Sequence, residues 1–230
     1  MRKLSIVIPA YNEAPTIDTL LNRVQAADLG AYQKEIIVID DGSTDATGKI
    51  LQQWKDRVAL YTHDRNRGKG AAVRTGYAHA SGDYVVVQDA DLELDPTDLK
   101  KLLEKADAES AGAVFGSRRL PLPGETRKKG TWYFQLGGAS LSWLTNILYG
   151  TRITDEPTCY KMVRRDVLQR IPLTAEGFEF CPELTAKLAR AGVRIFEVPI
   201  HYTPRSVAEG KKVRFSDWCV AVWTLLKHRL

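Results

Sequence analysis

Asp89-Ala90-Asp91 stands one residue after the apolar run Tyr84–Val87. Side chains at i and i+2 of an extended segment point the same way, so both carboxylates can approach one divalent cation. Hard ions such as Mg²⁺ and Mn²⁺ take oxygen ligands and keep positions open for substrate phosphates. Asp89 and Asp91 are therefore candidate metal ligands for chemistry on a diphosphate. Acids after a strand also serve as turn or cap residues, so the neighbouring clusters carry the weight. Tyr11-Asn12-Glu13, Asp40-Asp41-Gly42-Ser43 and Gly116-Ser117-Arg118-Arg119 each follow an apolar run of their own. A carboxylate such as Asp40 suits the N–H face of guanine or of uracil and does not choose between them. Read alone, Asp40 to Asp45 is a plain turn with a helix cap. Lys69, in the Gly-rich stretch Gly68-Lys69-Gly70, either positions a diphosphate or only shapes the turn, since the pattern is not a Walker A sequence.

The elements that must position these clusters alternate as a parallel sheet requires. Strands are expected at Leu4–Ile8, Glu35–Ile39, Val58–Tyr61, Tyr84–Val87 and Ala113–Phe115, with helices at Pro15–Ala27, Thr44–Lys55, Gly70–His79 and Pro96–Ala106. The fold class is α/β, a mixed and mainly parallel Rossmann-like sheet with helices on both faces and right-handed crossovers. Ligands of such sheets bind beyond the carboxyl ends of the strands, where all four polar clusters fall.

With 230 residues the chain can bury one large core, and 1–230 is read as a single domain with halves at 1–117 and 118–230. A net charge of +5 suits phosphorylated ligands, nucleic acid or an anionic membrane surface. Nucleic acid is disfavoured, because the basic residues lie among acids and no recognition module is visible. Cys159, Cys181 and Cys219 have no metal-like spacing, and their odd number fits a reducing compartment. No signal peptide and no bilayer-spanning run are seen, so membrane contact is expected from the surface only. Two segments suit that contact. One, near 132–149, carries Trp132-Tyr133-Phe134 and Trp143 behind the basic run Arg127-Lys128-Lys129; the other, near 216–227, is followed by His228-Arg229. An amphipathic helix in a membrane interface and a core-packing helix share this stripe.

The clusters in their order resemble the family 2 glycosyltransferases of the GT-A fold. The matching text is Ile6-Val7-Ile8-Pro9-Ala10-Tyr11-Asn12-Glu13, Val38-Ile39-Asp40-Asp41-Gly42-Ser43, Asn66-Arg67-Gly68-Lys69-Gly70 and Asp89-Ala90-Asp91. Asp89-Ala90-Asp91-Leu92 with Gly116-Ser117-Arg118 and Cys159-Tyr160-Lys161 is similar to the polyprenol-phosphate (dolichol-phosphate) mannosyltransferases and their bacterial relatives. The resemblance implies that Pro9, Tyr11, Glu13, Asp40, Asp41 and Lys69 hold the nucleotide. It implies that Asp89, Ala90 and Asp91 meet the ribose, the sugar and, through Mg²⁺ or Mn²⁺, the diphosphate. Glu93 stands where that group usually carries Gln as a further metal-site oxygen, which leaves both GDP-mannose and UDP-hexoses open as donors. Arg118 is implied at the acceptor phosphate with Arg127 or Lys128 as second cation. Asp155, the Thr158–Lys161 stretch, Phe178–Phe180 and Glu183 flank the acceptor, and Arg205 and Lys211 belong to a basic loop over the diphosphate.

The reaction so implied is inverting, metal-dependent transfer of a hexose to a polyprenyl phosphate at the inner, cytoplasmic membrane face. The protein is expected to be peripheral there, with or without a separate membrane protein presenting the lipid. A phosphate monoester, with a second pKa of about 6, is already anionic and needs no base. Asp91, Asp155 and Glu183 become candidate bases if the acceptor is instead a sugar hydroxyl of a polysaccharide or glycolipid. A non-catalytic nucleotide-sugar sensor or membrane scaffold is the reading outside enzymes.

Overall fold

The computed structural model describes residues 2–122, 132–205 and 215–229, with the backbone alone for 132–134. Arg127, Lys128, Lys129 and Lys211 lie outside the described residues. Seven strands form one sheet in the order β3-β2-β1-β4-β6-β5-β7. They are β1 (Arg2–Ala10), β2 (Tyr32–Asp40), β3 (Ala59–Thr62), β4 (Tyr84–Val87), β5 (Ala113–Ser117), β6 (Lys161–Arg164) and β7 (Ile195–Pro199). All neighbours pair in parallel except β6, which is antiparallel to both β4 and β5.

The near-continuous apolar runs in these strands follow from burial on both faces. Alternate residues turn to opposite sides. Ile6, Ile8, Val38, Val86 and Val114 pack under α1 (Ile17–Ala26) and α4 (Leu99–Glu109). Val7, Ile37, Val85, Val87 and Phe115 pack under α3 (Lys69–His79) and α7 (Phe180–Arg190). Helix α3 comes so close to β1 that a Cβ on Gly76 would fall 2.2 Å from Val7 Cγ1. A third, smaller cluster of Leu141, Ala186, Ala221 and Leu225 binds α5 (Trp132–Tyr149) and α8 (Phe215–Lys227) to α7. Among the described residues no helix is long and apolar enough to cross a membrane.

The chain moves outward from β1 to β2 and β3, then returns to lay β4 on the other side of β1. That reversal opens a crevice at the carboxyl ends of β1 and β4. Local details differ from the sequence expectation. Helix α2 is short (Thr47–Gln52), because Asp45 bends the preceding segment by accepting from the backbone N–H of Thr47 and of Ala14. Pro96 opens a 3₁₀ turn, Pro96–Asp98, whose Thr97 N–H is capped by Asp95. Strands β6 and β7, the single-turn helix α6 (Arg165–Leu168) and helix α7 were not expected. Lys161 masks β6, since its charge reads as surface; the structure buries it, with Nζ donating to the Glu156 carbonyl at 2.6 Å and to Thr185 Oγ1 at 2.8 Å.

Candidate active site

A cavity of about 1490 Å³ opens over the crevice. Pro9, Tyr11, Glu13, Asp41, Lys69, Asp89, Ala90, Asp91, Glu93, Arg118, Asp155 and Arg205 all line it. The structure thus brings together most of the residues singled out in sequence. Asp40 and Glu183 are not among its lining residues.

On the β1–β2 side the acids organise backbone. Asn12 turns left-handed (φ 52°) after β1, and its carboxamide oxygen accepts from the Thr44 N–H at 2.8 Å, tying the two strand-end loops together. Asp40 is 5% exposed and accepts from the Ser43 N–H at 3.0 Å, inside the turn. Asp41 meets His63 Nδ1 at 2.6 Å and accepts from the N–H groups of Arg67 and Gly68 at 2.9 Å each. It therefore anchors the turn that presents Lys69. Gly68 is obligatory there: its φ is +92°, and a Cβ would fall 2.3 Å from the Glu176 carbonyl oxygen.

The centre of the cavity is a chain of alternating charges. Lys69 Nζ lies 2.5 Å from Asp89 Oδ1 and donates to Cys159 Sγ at 3.0 Å. Burial opposes the charge on each partner, but their mutual attraction wins, raising Lys69 well above its ordinary pKa and lowering Asp89. Leu92 adopts φ 61°, which folds the segment so that the Glu93 N–H donates to Asp91 Oδ1 at 3.1 Å. Burial, with the charges of Asp89 and Glu93, pushes Asp91 up to about 6. Arg205 spans the acids: its guanidinium is 3.0 Å from Asp91 and 3.5 Å from Glu13, and its backbone N–H donates to Glu93 Oε1 at 2.9 Å.

Among the described residues no three acid, histidine or cysteine side chains converge to cage an ion. The donor set still fits a hard divalent cation of the kind that binds one or two carboxylates and completes its shell with phosphate oxygens and water. The Asp89 and Glu93 carboxylates add to burial in raising Asp91, and a cation held beside them would offset that repulsion.

On the other side, Arg118 is bound tightly within the protein. Its Nε and Nη2 donate to the Asp155 carboxylate at 2.7 and 2.8 Å, and its backbone N–H adds a third bond at 2.9 Å. Burial opposes both charges, yet the pairing raises Arg118 and holds Asp155 below the usual carboxylate range. A carboxylate so held is a weak proton acceptor. Glu183 accepts from the Thr174 and Ala175 N–H groups and from Lys187 Nζ, away from the cavity. It shapes the loop before α7. Lys161, expected beside the acceptor, is interior, whereas Phe178 does line the cavity.

Sequence reasoning assigned no role to Tyr202, whose ring lies 5.0 Å from the Arg118 guanidinium carbon, and placed Cys159 beside the acceptor without its contact to Lys69. Neither carries a local signal, since each acts through a distant partner. Arg119, Gly138 and Trp218 also line the cavity. The doubled arginine at 118–119 was the available hint.

A mainly parallel sheet with an acid pair at its switch point defines a GT-A type of fold, and solved structures agree. Glucosyl-3-phosphoglycerate synthase from Mycobacterium tuberculosis in complex with uridine diphosphate superposes with a TM-score of 0.75 at 21% identity, covering 99% of this chain and 80% of that one. A complex of the same synthase with Mg²⁺ and uridine diphosphate gives 0.74 at 22% identity, covering 99% of this chain and 79% of that one. At such identities the likeness is one of fold. The chain belongs to glycosyl transferase family 2, whose family model matches residues 5–171. Polyprenol monophosphomannose synthase of Mycolicibacterium smegmatis is 31% identical over 232 residues, 95% of this chain and 85% of that protein. Undecaprenyl-phosphate 4-deoxy-4-formamido-L-arabinose transferases of Enterobacter sp. and Edwardsiella ictaluri are 28% and 30% identical, over 92% and 90% of this chain. This chain spans 63% and 62% of their respective lengths.

Proposed function

We propose that this chain is an inverting, metal-dependent glycosyltransferase that moves a hexose from a nucleoside diphosphate sugar to a polyprenyl phosphate. The observation that carries the proposal is the make-up of this cavity: the Asp89–Asp91 acids meet Lys69 and Arg205 in its centre, and Leu122, Leu136, Phe215 and Trp218 supply an apolar wall beyond the arginines. That is the complement of a sugar diphosphate facing a phosphate on a hydrocarbon tail. The relatives named for undecaprenyl phosphate and polyprenol monophosphomannose support the acceptor class.

Pro9, Tyr11, Glu13 and the Asp41-anchored turn would enclose the nucleoside, with Asp40 fixing the turn from within. Lys69 and Arg205 are cations that can move from the acids to the diphosphate, whose negative charge grows as the sugar departs. A Mg²⁺ or Mn²⁺ ion on Asp89 and Asp91, with Glu93 beside them, would supply Lewis-acid stabilisation of the leaving nucleoside diphosphate. The acceptor phosphate oxygen attacks the anomeric carbon from the opposite face and needs no general base, which accords with Asp155 being committed to Arg118. Leu136, Trp143, Ile147, Phe215 and Trp223 are exposed on α5 and α8. These apolar side chains would rest the protein on the cytoplasmic face of a membrane, from which the lipid phosphate enters.

The test is incubation of purified protein with Mn²⁺ or Mg²⁺ and radiolabelled GDP- or UDP-hexoses, with and without a short polyprenyl phosphate. Label entering the organic phase only with the lipid is the expected result and names the donor. Hydrolysis without lipid transfer would move the acceptor to a hydroxyl. Absence of turnover with every donor would favour a binding role.

A further inference from the structure

Of the three cysteines, Cys219 is exposed on α8, whereas Cys159 and Cys181 both line the cavity. The latter two come from different elements: Cys159 precedes β6, and Cys181 stands in the first turn of α7. The fold sets their side chains against each other. Cys181 Sγ lies 3.6 Å from the carbonyl oxygen of Thr158, the residue just before Cys159. Buried cysteines often pack as small apolar groups. This pair differs in that it also meets a cation. Cys159 Sγ accepts from Lys69 Nζ at 3.0 Å, and the same Nζ lies 2.5 Å from Asp89 Oδ1.

Lys69 is thus held from two sides, by an acid and by a sulfur. The start of α7 bears on it as well: the Cys181 N–H donates to the Phe178 carbonyl at 3.3 Å, and the Phe178 ring centre is 5.6 Å from Lys69 Nζ. A covalent bond brings two sulfurs closer than any non-bonded contact allows. Joining Cys159 to Cys181 would therefore draw the first sulfur off Lys69 and tie the segment before β6 to α7.

We infer that Cys159 and Cys181 form a redox-sensitive pair that hydrogen peroxide converts to a disulfide, and that this bond weakens the hold of Lys69 on a nucleoside diphosphate. Cys159, the less buried of the two, attacks one peroxide oxygen. An S–O bond forms as the O–O bond breaks, giving a sulfenic acid and one water. The Cys181 sulfur then displaces the sulfenic hydroxyl, which leaves with the Cys181 proton as a second water, and the S–S bond forms. The thiols lose two electrons in all, and the peroxide takes them up. A small dithiol reverses the bond by exchange. The disulfide goes beyond the transferase reading, and its effect on Lys69 rests on the donor site described there.

The test uses Cys219→Ser protein, which keeps both cavity cysteines and lacks the exposed one. It is treated with hydrogen peroxide, freed of excess oxidant, alkylated and digested with trypsin without reduction. Peptides 153–161 and 171–187 are expected as one linked species, two hydrogens lighter than their sum and lost with dithiothreitol. Calorimetry with Mn²⁺ and UDP or GDP is read beside it. Oxidation should raise the nucleotide dissociation constant about tenfold, the scale of one charge-assisted hydrogen bond, and dithiothreitol should restore it. Cys159→Ser, Cys181→Ser and Cys181→Ala, each compared with its own untreated sample, should give no linked species and no change on oxidation. Peptides that remain unlinked after peroxide would overturn the pair. Linked peptides with unaltered nucleotide binding, or an equal loss of binding in Cys181→Ala, would overturn the effect on Lys69. Failure of untreated protein to bind either nucleotide would overturn the donor site and this inference with it, whereas nucleotide binding without glycosyl transfer would count against the transferase reading alone.

Discussion

Arg205 and Asp91, 114 residues apart in sequence, meet at 3.0 Å. One guanidinium thereby ties the segment after β7 to the acids after β4, and its second amino group reaches Glu13 after β1. Replacing it exposes the acids to one another and removes a fork suited to a diphosphate. Arg205→Gln is expected to lower kcat/KM about 10- to 100-fold, mostly through donor KM, the scale of one or two charged hydrogen bonds. Arg205→Lys should recover little, since a point charge cannot reproduce the fork. Steady-state kinetics at saturating acceptor decide it; an unaltered donor KM in Arg205→Gln would remove Arg205 from the donor site.

Asp89 and Asp91 should make turnover depend on a divalent cation. EDTA is expected to abolish wild-type activity and excess Mn²⁺ to restore it. Asp89→Asn and Asp91→Asn should each lose about a hundredfold or more, because a bound cation supplies several kcal/mol of charge stabilisation. Full wild-type turnover in EDTA would sink the metal assignment.

Asp155 makes a prediction about acid stability. Arg118 holds its pKa below the unfolded value. A carboxylate lowered in the folded state stabilises the fold above its unfolded pKa, and that contribution fades as pH falls through the folded value. Wild type should therefore lose stability more steeply below about pH 4 than Asp155→Asn. Near neutral pH the variant should be weaker by about 3 kcal/mol, since it strands a largely buried guanidinium. Urea midpoints measured from pH 6 down to pH 2.5 check both statements; parallel curves would show that Asp155 contributes no such linkage.

Trp143 and Trp223 are 66% and 65% exposed. If α5 and α8 rest on a lipid surface, Trp143→Ser with Trp223→Ser should leave melting unchanged and weaken co-sedimentation with anionic vesicles more than tenfold. Burial of each large apolar side chain is worth about 1.5–3 kcal/mol. Equal sedimentation of the double variant would place the contact elsewhere.

Gly76 tests the packing of the donor half. Alanine is the better helix former by about 1 kcal/mol, yet its Cβ would overlap Val7 Cγ1. Gly76→Ala is expected to destabilise by about 1–3 kcal/mol. Adding Val7→Ala should then cost less in the Gly76→Ala background than in wild type, a coupling that denaturant unfolding of the four proteins would reveal.

Much of this was legible in the sequence. Runs such as Tyr84–Val87 mark strands because both faces of the sheet are covered, and the polar clusters after them must gather at one edge because parallel strands share a direction. What misled was charge in unexpected places. Lys161 hid strand β6, because its ammonium is satisfied by Glu156 and Thr185 in the interior. Glu183 read as part of the acceptor pocket, but its carboxylate is consumed by the loop at Thr174–Ala175.

Periodicity, turn chemistry and the order of motifs are local properties, so the sequence by itself determined the parallel α/β framework and the acid pair at its opening. Which charge is free to act is a matter of distance through space. Arg118 and Arg119 are chemically identical neighbours, and only the fold brings Asp155, from 37 residues downstream, onto the first and the Gln135 carbonyl onto the second. Coulomb energy and burial depend on those separations, which no spacing along the chain encodes.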